Sequence, residues 1–348
     1  MAQLPPGIGW LTGWEVVAMP KGGSGRLLAL YGPTSAGKTA LAVEVAVRIE
    51  RELGRKVVVI SADSRQVYRY MDIGTSKTTT AQMRGIRHEL IDVTEPARKL
   101  ELEDYARLAR EYIASAFAAG AVPFVVGGTG VYVSALLGGW QVDEAGAARA
   151  ALRRDFPRSM AADAYAMLRR LNQDAAARVH PNNYEAVINA LAGVLAGSRG
   201  GPVDGGPVRG AGGPPPVLLG VDPGPRAVDR SVAATFAEQL RRGLLGEIAD
   251  LNARYDLDAQ LRRHGRDSQN QVLHTHGYRE FFELALERGK PVTSLTEAER
   301  AEAGDLVVER IRRHTRRQRG WFAKLNITSL VGSADQAYAV ARQSLGRG

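Results

Sequence analysis

The sequence predicts an α/β protein built on a doubly wound, mainly parallel β-sheet. Apolar runs of strand length recur at residues 27–31, 57–60 and 122–126, and stretches of helix length separate them. Strands that alternate with helices are typical of parallel sheets. Each run is followed by glycine or polar residues, and the carboxyl ends of parallel strands share one edge of the sheet, where ligands bind. We therefore expect the functional site at that edge.

The first strand runs directly into a glycine-rich loop with the sequence Gly32-Pro33-Thr34-Ser35-Ala36-Gly37-Lys38-Thr39. Two glycines separated by four residues and closed by Lys and Thr form the phosphate-binding pattern called the P-loop, which needs a strand before it and a helix after it. Residues 27–31 and the helical stretch at 39–53 meet both needs. The loop N–H groups can surround an anion at the positive end of the helix, Lys38 adds a charge, and the Thr39 hydroxyl can ligate Mg²⁺. The loop predicts a polyphosphate ligand but not the reaction, and the alternative is a turn that binds nothing.

The other elements continue the alternation of strands and helices. The further predicted strands are short, at residues 56–61, 88–93, 122–126, 217–221 and 327–330. The further predicted helices lie at residues 102–119, 226–240, 244–255, 278–287 and 296–324. Thr296 and Glu299 have the spacing of a capping box at the start of the longest of these helices.

These elements divide the chain into five predicted segments. They are a flexible tail at 1–26, an α/β core with the P-loop at 27–146, an inserted helical lobe at 147–196, a disordered Gly/Pro-rich loop at 197–216, and the rest of the core with a helical C-terminal part at 217–348. The tract at 197–216 is too rich in glycine and proline to bury a core. The predicted fold is therefore P-loop NTPase-like with an inserted helical lobe.

Composition excludes several classes of site. The chain has 348 residues and no cysteine, so it forms neither disulfides nor thiolate metal sites. It lacks an apolar stretch of about 18 residues, and its first residues lack the pattern of a signal peptide, so we expect no membrane partner and a cytoplasmic location. The formal net charge of +9 favours a polyanionic partner such as nucleic acid.

Three polar side chains lie in loops that follow predicted strands. Asp63 could accept a proton from a nucleophile or hold Mg²⁺ through water, or it could cap a turn. Lys77 could be a second phosphate-binding cation or an exposed loop lysine. The hydroxyl and N–H groups of Thr129 could bind phosphate or a base, or the residue could only end its strand.

The last part of the helix at 296–324 is strongly basic. From residue 310 to residue 324 the chain carries seven Arg or Lys residues and no acid. Helical spacing places Arg312, Arg316 and Arg319 on one face. Such a face either binds a polyanion or is solvated.

Taken together, these motifs resemble those of the tRNA dimethylallyltransferase (tRNA isopentenyltransferase) family. The matching pieces, in family order, are Gly-Pro-Thr-Ser-Ala-Gly-Lys-Thr at 32–39, Asp-Ser-Arg-Gln-Val-Tyr at 63–68, Asp-Ile-Gly-Thr-Ser-Lys at 72–77, Gly-Gly-Thr-Gly-Val-Tyr at 127–132, His-Pro-Asn-Asn at 180–183, Gly-Tyr-Arg at 277–279 and Arg-Arg-Gln-Arg-Gly-Trp-Phe at 316–322. The first four together are highly specific.

The resemblance implies transfer of a dimethylallyl group from dimethylallyl diphosphate to the exocyclic amine of the adenine just 3′ of the tRNA anticodon. The P-loop and Lys77 would then bind diphosphate, which departs as the leaving group, and Thr39 would hold Mg²⁺. Asp63 would be the general base, and Thr39, Thr129 and Arg279 would complete the catalytic set. The predicted tRNA-binding residues are Asp63, Ser64, Arg65, Gln66, Thr129, Arg149, Arg312, Arg316, Arg317 and Arg319. The implied partners are dimethylallyl diphosphate and the anticodon stem-loop of tRNA, and we expect a monomer.

Three rival functions stay open on the residues. An isopentenyltransferase acting on free adenine nucleotides shares the P-loop and the Asp63 loop, but such enzymes tend to lack the helical lobe and the basic helix. Ala186 and Asn189 stand where the tRNA-modifying family has arginines, which slightly favours that rival. A small-molecule kinase would explain the P-loop alone. A non-catalytic RNA-binding protein would not need Lys38, Thr39 and Asp63 together.

Overall fold

The computed structural model describes residues 25–137, 152–153, 155–195, 215–323 and 327–346. Its strands are β1 (Leu28–Tyr31), β2 (Val57–Ser61), β3 (Arg87–Glu89), β4 (Val122–Gly127), β5 (Val217–Gly220) and β6 (Ser329–Leu330). Its α-helices are α1 (Lys38–Leu53), α2 (Thr80–Met83), α3 (Leu102–Ala118), α4 (Gly130–Leu137), α5 (Ala161–Leu171), α6 (Gln173–Ala177), α7 (Tyr184–Leu195), α8 (Pro225–Arg241), α9 (Leu244–Tyr255), α10 (Leu257–His264), α11 (Arg279–Glu287), α12 (Glu297–Phe322) and α13 (Ala334–Leu345).

These strands form one parallel sheet in the order β3-β2-β4-β1-β5-β6. The chain builds β2, β3 and β4 on one side of β1 and then crosses to β5 and β6 on the other side. β1 therefore lies at the point where the strand order reverses, and a ligand site is expected at its carboxyl end. The predicted α/β class with a doubly wound, mainly parallel sheet is confirmed.

Helices cover both faces of the sheet because successive strand residues point to opposite faces and are apolar on both. α1 and α13 pack on one face, where Ile49 and Tyr338 belong to the same buried cluster as Leu28. α3 and α4 cover the other face, where Tyr105 joins the cluster of Tyr31. The core thus fixes β1, and with it the loop that follows β1.

Two further apolar clusters lie outside the sheet layers. One joins α8–α12 to Val67, Tyr68 and Met71 of the loop after β2, so the helical C-terminal part holds that loop. The other lies within the helical lobe and includes Leu168 and Val187. The residues described between 152 and 195 are helical or in turns, but the predicted lobe boundary at residue 147 lies outside the described residues.

Two sequence predictions need correction. The strand predicted at 88–93 ends at Glu89, because Leu90 and Asp92 take left-handed backbone angles, with φ of 64° and 56°. The helix α10 was not predicted; it follows α9 after Asp256, whose φ of 50° breaks the helical path. Within the described ranges, no helix is long and apolar enough to cross a membrane.

Candidate active site

The P-loop lies between β1 and α1, at the carboxyl edge of the sheet. A Cβ on Gly32 would lie 2.3 Å from the Val221 carbonyl oxygen, so a larger residue does not fit there. Gly37 has a φ of 80°, which favours glycine. The N–H of Leu41 donates the first hydrogen bond of α1 to Gly37 O at 3.2 Å. The N–H groups just before Leu41 have no acceptor within the helix, so they can bind an anion.

Lys38 is the cation of this loop, and its partner is uncharged. Its Nζ donates to the Pro33 carbonyl oxygen at 2.7 Å. Burial lowers the pKa of Lys38 to about 8, and the negative charge of Asp63 opposes the shift. A poorly solvated ammonium gains more from a nearby diphosphate than a solvated one does.

Asp63 lies two residues beyond the end of β2. Its Oδ1 accepts hydrogen bonds from the N–H groups of Arg65 at 2.8 Å and Gln66 at 3.4 Å, so the carboxylate caps a turn. This turn leaves the second oxygen for chemistry, because Oδ2 has no protein donor in the described part of the chain. The charge of Asp63 acts on both Lys38 and His314, so the carboxylate is close to the P-loop cation.

Thr129 is held against the Asp63 loop. A Cβ on Gly127 would lie 2.1 Å from the Ala62 carbonyl oxygen, so the absence of a side chain there lets the two loops approach. The Thr129 N–H donates to Ala62 O at 3.2 Å, and Thr129 Oγ1 accepts from the Ser64 N–H at 3.0 Å. The structure therefore brings Thr129 and Ser64 together beside Asp63.

Arg65 and Gln66 point into contacts with other parts of the protein. Arg65 Nη1 donates to Gln271 Oε1 at 3.2 Å, and Gln66 Nε2 donates to the Ser76 carbonyl oxygen at 3.4 Å. These contacts fix the loop that carries Asp63. Binding of RNA by Arg65 and Gln66 stays a prediction.

Gln318 of α12 is a site residue to which the sequence assigned no role. Its Oε1 accepts from the Thr34 N–H at 2.9 Å, and its Nε2 donates to the Gly128 carbonyl oxygen at 2.7 Å. Gln318 therefore bridges the P-loop and the turn after β4. The motif at 316–322 contained this residue, but its partners lie hundreds of residues away in sequence, so local pattern could not reveal them.

The end of α12 is anchored in the core beside the site. Phe322 stacks on Tyr31 with ring centroids 5.2 Å apart. A Cβ on Gly130 would lie 2.5 Å from the Trp321 ring, so the indole packs on the start of α4. These two aromatic residues hold the basic helix across the carboxyl edge of the sheet.

The arginines of the basic face of α12 differ in their contacts within the protein, and RNA binding by this face stays a prediction. Arg319 makes a two-pronged ion pair with Asp222, with Nη2 2.8 Å from Oδ2 and Nε 2.9 Å from Oδ1. Arg312 donates to the Asp229 carbonyl oxygen at 3.2 Å and 3.3 Å. Arg316 and Arg317 are exposed. Two of the four predicted arginines are thus engaged within the protein.

Lys77 is engaged within the protein, and its predicted contact with diphosphate stays a prediction. Its side chain is 6% exposed, and its Nζ donates to the Tyr68 carbonyl oxygen at 2.6 Å and to one carboxylate oxygen each of Asp72 and Asp92 at 2.5 Å. These contacts use all three ammonium protons. In this arrangement Lys77 has no donor left for a diphosphate.

Arg279 begins α11 and lies beside Glu283, with Nε 3.3 Å from Glu283 Oε1. It lines a small pocket with five other residues, none of them from the P-loop: Leu261, Gly265, Leu273, His274 and Glu283. The predicted contact with diphosphate would require the guanidinium to turn away from Glu283, so this role stays a prediction.

A family model described as IPP transferase matches residues 66–325, and a second, described as Isopentenyl transferase, matches residues 25–100. The chain belongs to the IPP transferase family. Together the two matches include the P-loop, the loops that carry Asp63 and Thr129, and the part of α12 that carries Gln318.

Individual relatives and a solved structure agree with this membership. A tRNA dimethylallyltransferase of Salinispora arenicola is 34% identical over 310 residues, which cover 86% of this chain and 80% of that protein. One from a Roseiflexus species is 44% identical over 168 residues, 47% of this chain, and the match spans about half, 53%, of that protein. The crystal structure of the full-length tRNA isopentenylpyrophosphate transferase of Bacillus halodurans has a TM-score of 0.61 and 28% identity, covering 92% of this chain and 97% of that one.

The residues of this IPP transferase family member fit a substrate-bound Mg²⁺ better than a metal cage made by the protein. No group of three or more His, Asp or Glu side chains suited to a metal occurs in the described ranges. Mg²⁺ typically uses one or two protein oxygens together with phosphates and water. Thr39, in the first turn of α1, and Asp63 could supply such oxygens.

Three predicted features of this family member lie wholly or almost wholly outside the described residues. They are Arg149, the tail at 1–26, of which only residues 25–26 are described, and the tract at 197–216, of which only residues 215–216 are described.

Proposed function

We propose that this protein transfers a dimethylallyl group from dimethylallyl diphosphate to the exocyclic amine of the adenine 3′-adjacent to the anticodon in tRNA. The observation that carries the proposal is the convergence of three parts at one sheet edge. The anion-binding loop with Lys38 lies close to Asp63, a carboxylate with an unused oxygen, and Gln318 of the basic helix is hydrogen-bonded to that loop and to the turn after β4. The names of the relatives agree with this chemistry.

The transfer forms one bond and breaks another. The adenine amine attacks the CH₂ carbon that is bonded to the diphosphate oxygen. The carbon–oxygen bond then breaks, and its electron pair stays on the diphosphate. The amine is a weak nucleophile because its lone pair is delocalised into the ring. Asp63 accepts its proton, and Thr129 orients the base or phosphate beside it.

The P-loop stabilises the charge that develops on the leaving group. The free N–H groups at the start of α1 and the ammonium of Lys38 face the diphosphate oxygens. Mg²⁺ on Thr39 would neutralise further negative charge when bound. Arg279 would add a cation if it turned from Glu283. We assign these residues on their placement and on the family resemblance.

RNA would approach across α12, with Arg316 and Arg317 as its phosphate contacts. The target adenine must leave its stack to reach the carboxylate. We further infer that the protein acts in the cytoplasm and that it is a monomer. Size-exclusion chromatography with light scattering tests the monomeric state.

A second candidate acceptor is a free adenine nucleotide. The shorter Isopentenyl transferase model covers residues 25–100, which contain the P-loop and Asp63 but not α12. The pairing of Arg312 and Arg319 within the protein also reduces the basic surface offered to RNA. Because of both observations, the competition experiment includes AMP as a free adenine nucleotide.

The acceptor is tested by competition. Radiolabelled dimethylallyl diphosphate is incubated with unmodified tRNA and AMP together, and each acceptor is then isolated. We expect label on the tRNA and little on AMP. Label on AMP alone would replace the proposed substrate, and label on neither acceptor, with intact diphosphate binding, would reject prenyl transfer.

A further inference from the structure

The P-loop, the turn after β4 and helix α12 converge on a single glycine. A Cβ on Gly128 would meet Gly32 O at 3.2 Å, Gln318 Nε2 at 3.3 Å and Lys38 Nζ at 3.4 Å. The amide of Gln318 therefore lies beside the P-loop cation. It is part of the wall of the predicted diphosphate site although it belongs to a helix far away in sequence.

Gln318 satisfies one backbone group from each of two loops. Its side-chain oxygen accepts a hydrogen bond from the Thr34 N–H at 2.9 Å, and its side-chain nitrogen donates one to the Gly128 carbonyl oxygen at 2.7 Å. Thr34 precedes the helix start, so this bond leaves the N–H groups at the beginning of α1 available for an anion. The bridge uses the N–H of Thr34 and leaves those at the start of α1 available.

The loop needs such a restraint. Ser35 has a φ of 61° and Gly37 a φ of 80°, and Ser35 is not glycine, so its left-handed conformation is unfavourable by itself. An unrestrained loop would have to be ordered when diphosphate binds, which would weaken binding. A side chain that orders the loop before the ligand binds removes this reduction in affinity.

We propose that Gln318 is a positioning residue of the diphosphate site: it holds Thr34 and Gly128 so that the P-loop is ordered for binding before the ligand arrives. The inference rests on the proposed function for the identity of the ligand. It concerns binding, so it can be tested without RNA and without transfer.

Two substitutions separate the positioning role from general stability. Gln318→Met keeps the length of the side chain and removes both hydrogen bonds. Gln318→Glu keeps the acceptor for Thr34 but loses the donor to Gly128 and adds a negative charge beside the diphosphate. Gln336→Met is the matched control, because Gln336 Oε1 also accepts a backbone N–H, that of Gly332 at 2.7 Å, outside the site.

The measurement is calorimetric titration with inorganic pyrophosphate and Mg²⁺, with thermal unfolding of each variant in parallel. We expect Gln318→Met to weaken pyrophosphate binding by about five- to tenfold, the typical worth of one or two hydrogen bonds. The KM for dimethylallyl diphosphate should rise by a similar factor, with kcat changed much less. Gln336→Met should leave pyrophosphate affinity unchanged.

Gln318→Glu supplies a signature that a purely structural role would not give. At neutral pH it should bind pyrophosphate more weakly than Gln318→Met. Protonation of the new carboxyl restores a donor to Gly128, so its affinity relative to wild type at the same pH should recover as the pH falls toward 5. This comparison also decides the question if Gln318→Met does not fold.

Two outcomes would overturn the proposal. One is a folded Gln318→Met variant with wild-type pyrophosphate affinity, and the other is a Gln318→Glu variant without recovery at low pH. Failure of the proposed function is distinguishable, because it would show as pyrophosphate binding by wild type without transfer to tRNA.

Discussion

Lys38 begins the helix after β1, whereas Lys77 lies in the long loop after β2, and the sequence assigned both lysines to diphosphate. The two lysines have different partners in the structure. Lys38 faces a carbonyl oxygen, and burial holds its pKa at about 8, well below the usual value. Lys77 is enclosed by two carboxylates and a carbonyl oxygen. A cation that lacks an ion pair within the protein is available to a ligand, whereas a cation that is already paired with carboxylates stabilises the folded protein.

The same distinction separates the arginines of α12. Arg319 is balanced by Asp222, whereas Arg316 and Arg317 are exposed. It also separates Asp63, which uses one oxygen on backbone N–H groups, from Asp72, which is paired with Lys77. Each pair gives a direct comparison by substitution.

The largest expected effect is the difference in transfer rate between variants of the two aspartates. Asp63→Asn retains an oxygen for the turn but loses the base, so transfer to tRNA should slow by about a hundredfold or more. Pyrophosphate affinity should change little. Asp72→Asn should slow transfer by much less, and single-turnover rates of both variants make the comparison. Near-normal turnover by Asp63→Asn would remove it from the catalytic role.

The two lysines should differ in ligand binding. Lys38→Met removes the charge that faces the leaving group, so pyrophosphate affinity should fall by about tenfold to a hundredfold, and transfer should fall with it. Lys77→Met should change pyrophosphate affinity by less than about twofold. Calorimetry on both folded variants decides, and equal losses would show that Lys77 also serves the ligand.

The lowered pKa of Lys38 predicts a pH dependence of binding. Below about pH 8 the free protein already carries the protonated ammonium, whereas above it a proton must be taken up before diphosphate is held. Affinity attributable to Lys38 should therefore fall by up to about tenfold per pH unit above pH 8. Subtracting the profile of Lys38→Met removes the titration of pyrophosphate itself, and identical profiles would contradict the assignment.

Lys77 should matter for stability. Lys77→Met leaves two carboxylates and the Tyr68 carbonyl without their donor, but both carboxylates are about half exposed and water can reach them. We therefore expect a loss of about 1–3 kcal/mol in the free energy of unfolding. Urea unfolding measures it, and Lys38→Met, at a ligand-facing position, is the control with a smaller expected loss.

The smallest expected effect concerns the arginines of α12. If Arg316 and Arg317 contact phosphates, replacing both with Gln should lower the log–log salt slope of tRNA binding by about two units, because counterion release is lost. Replacing Arg312 and Arg319 should change the slope by less than about one unit. Slopes that are equal for both double variants would mean that the internal partners do not decide availability.

The parts that the sequence predicted well are those governed by neighbouring residues. The P-loop needs glycine at a position with positive φ, and the capping box at Thr296 and Glu299 needs residues three apart; both are present. The end of β3 was misplaced, because Leu90 looked like any apolar strand residue and its left-handed backbone depends on the surrounding loop.

The parts that the sequence could not predict depend on docking of distant segments. Asp222 reaches Arg319 across 97 residues, and Thr34 reaches Gln318 across 284. Neither partner can be identified until the long helix is placed across the sheet edge. A run of basic residues therefore predicts a polyanionic partner, but it does not show which arginines have partners within the protein.

Identifying the modified nucleoside tests the proposed prenyl transfer to tRNA directly. An anticodon stem-loop with adenine just 3′ of the anticodon is incubated with the protein, Mg²⁺ and labelled dimethylallyl diphosphate, then digested and analysed by mass spectrometry. We expect one dimethylallyl group on the exocyclic amine of that adenine, and no product from a matched stem-loop carrying guanine there. Label at another position, or equal labelling of the guanine stem-loop, would contradict it.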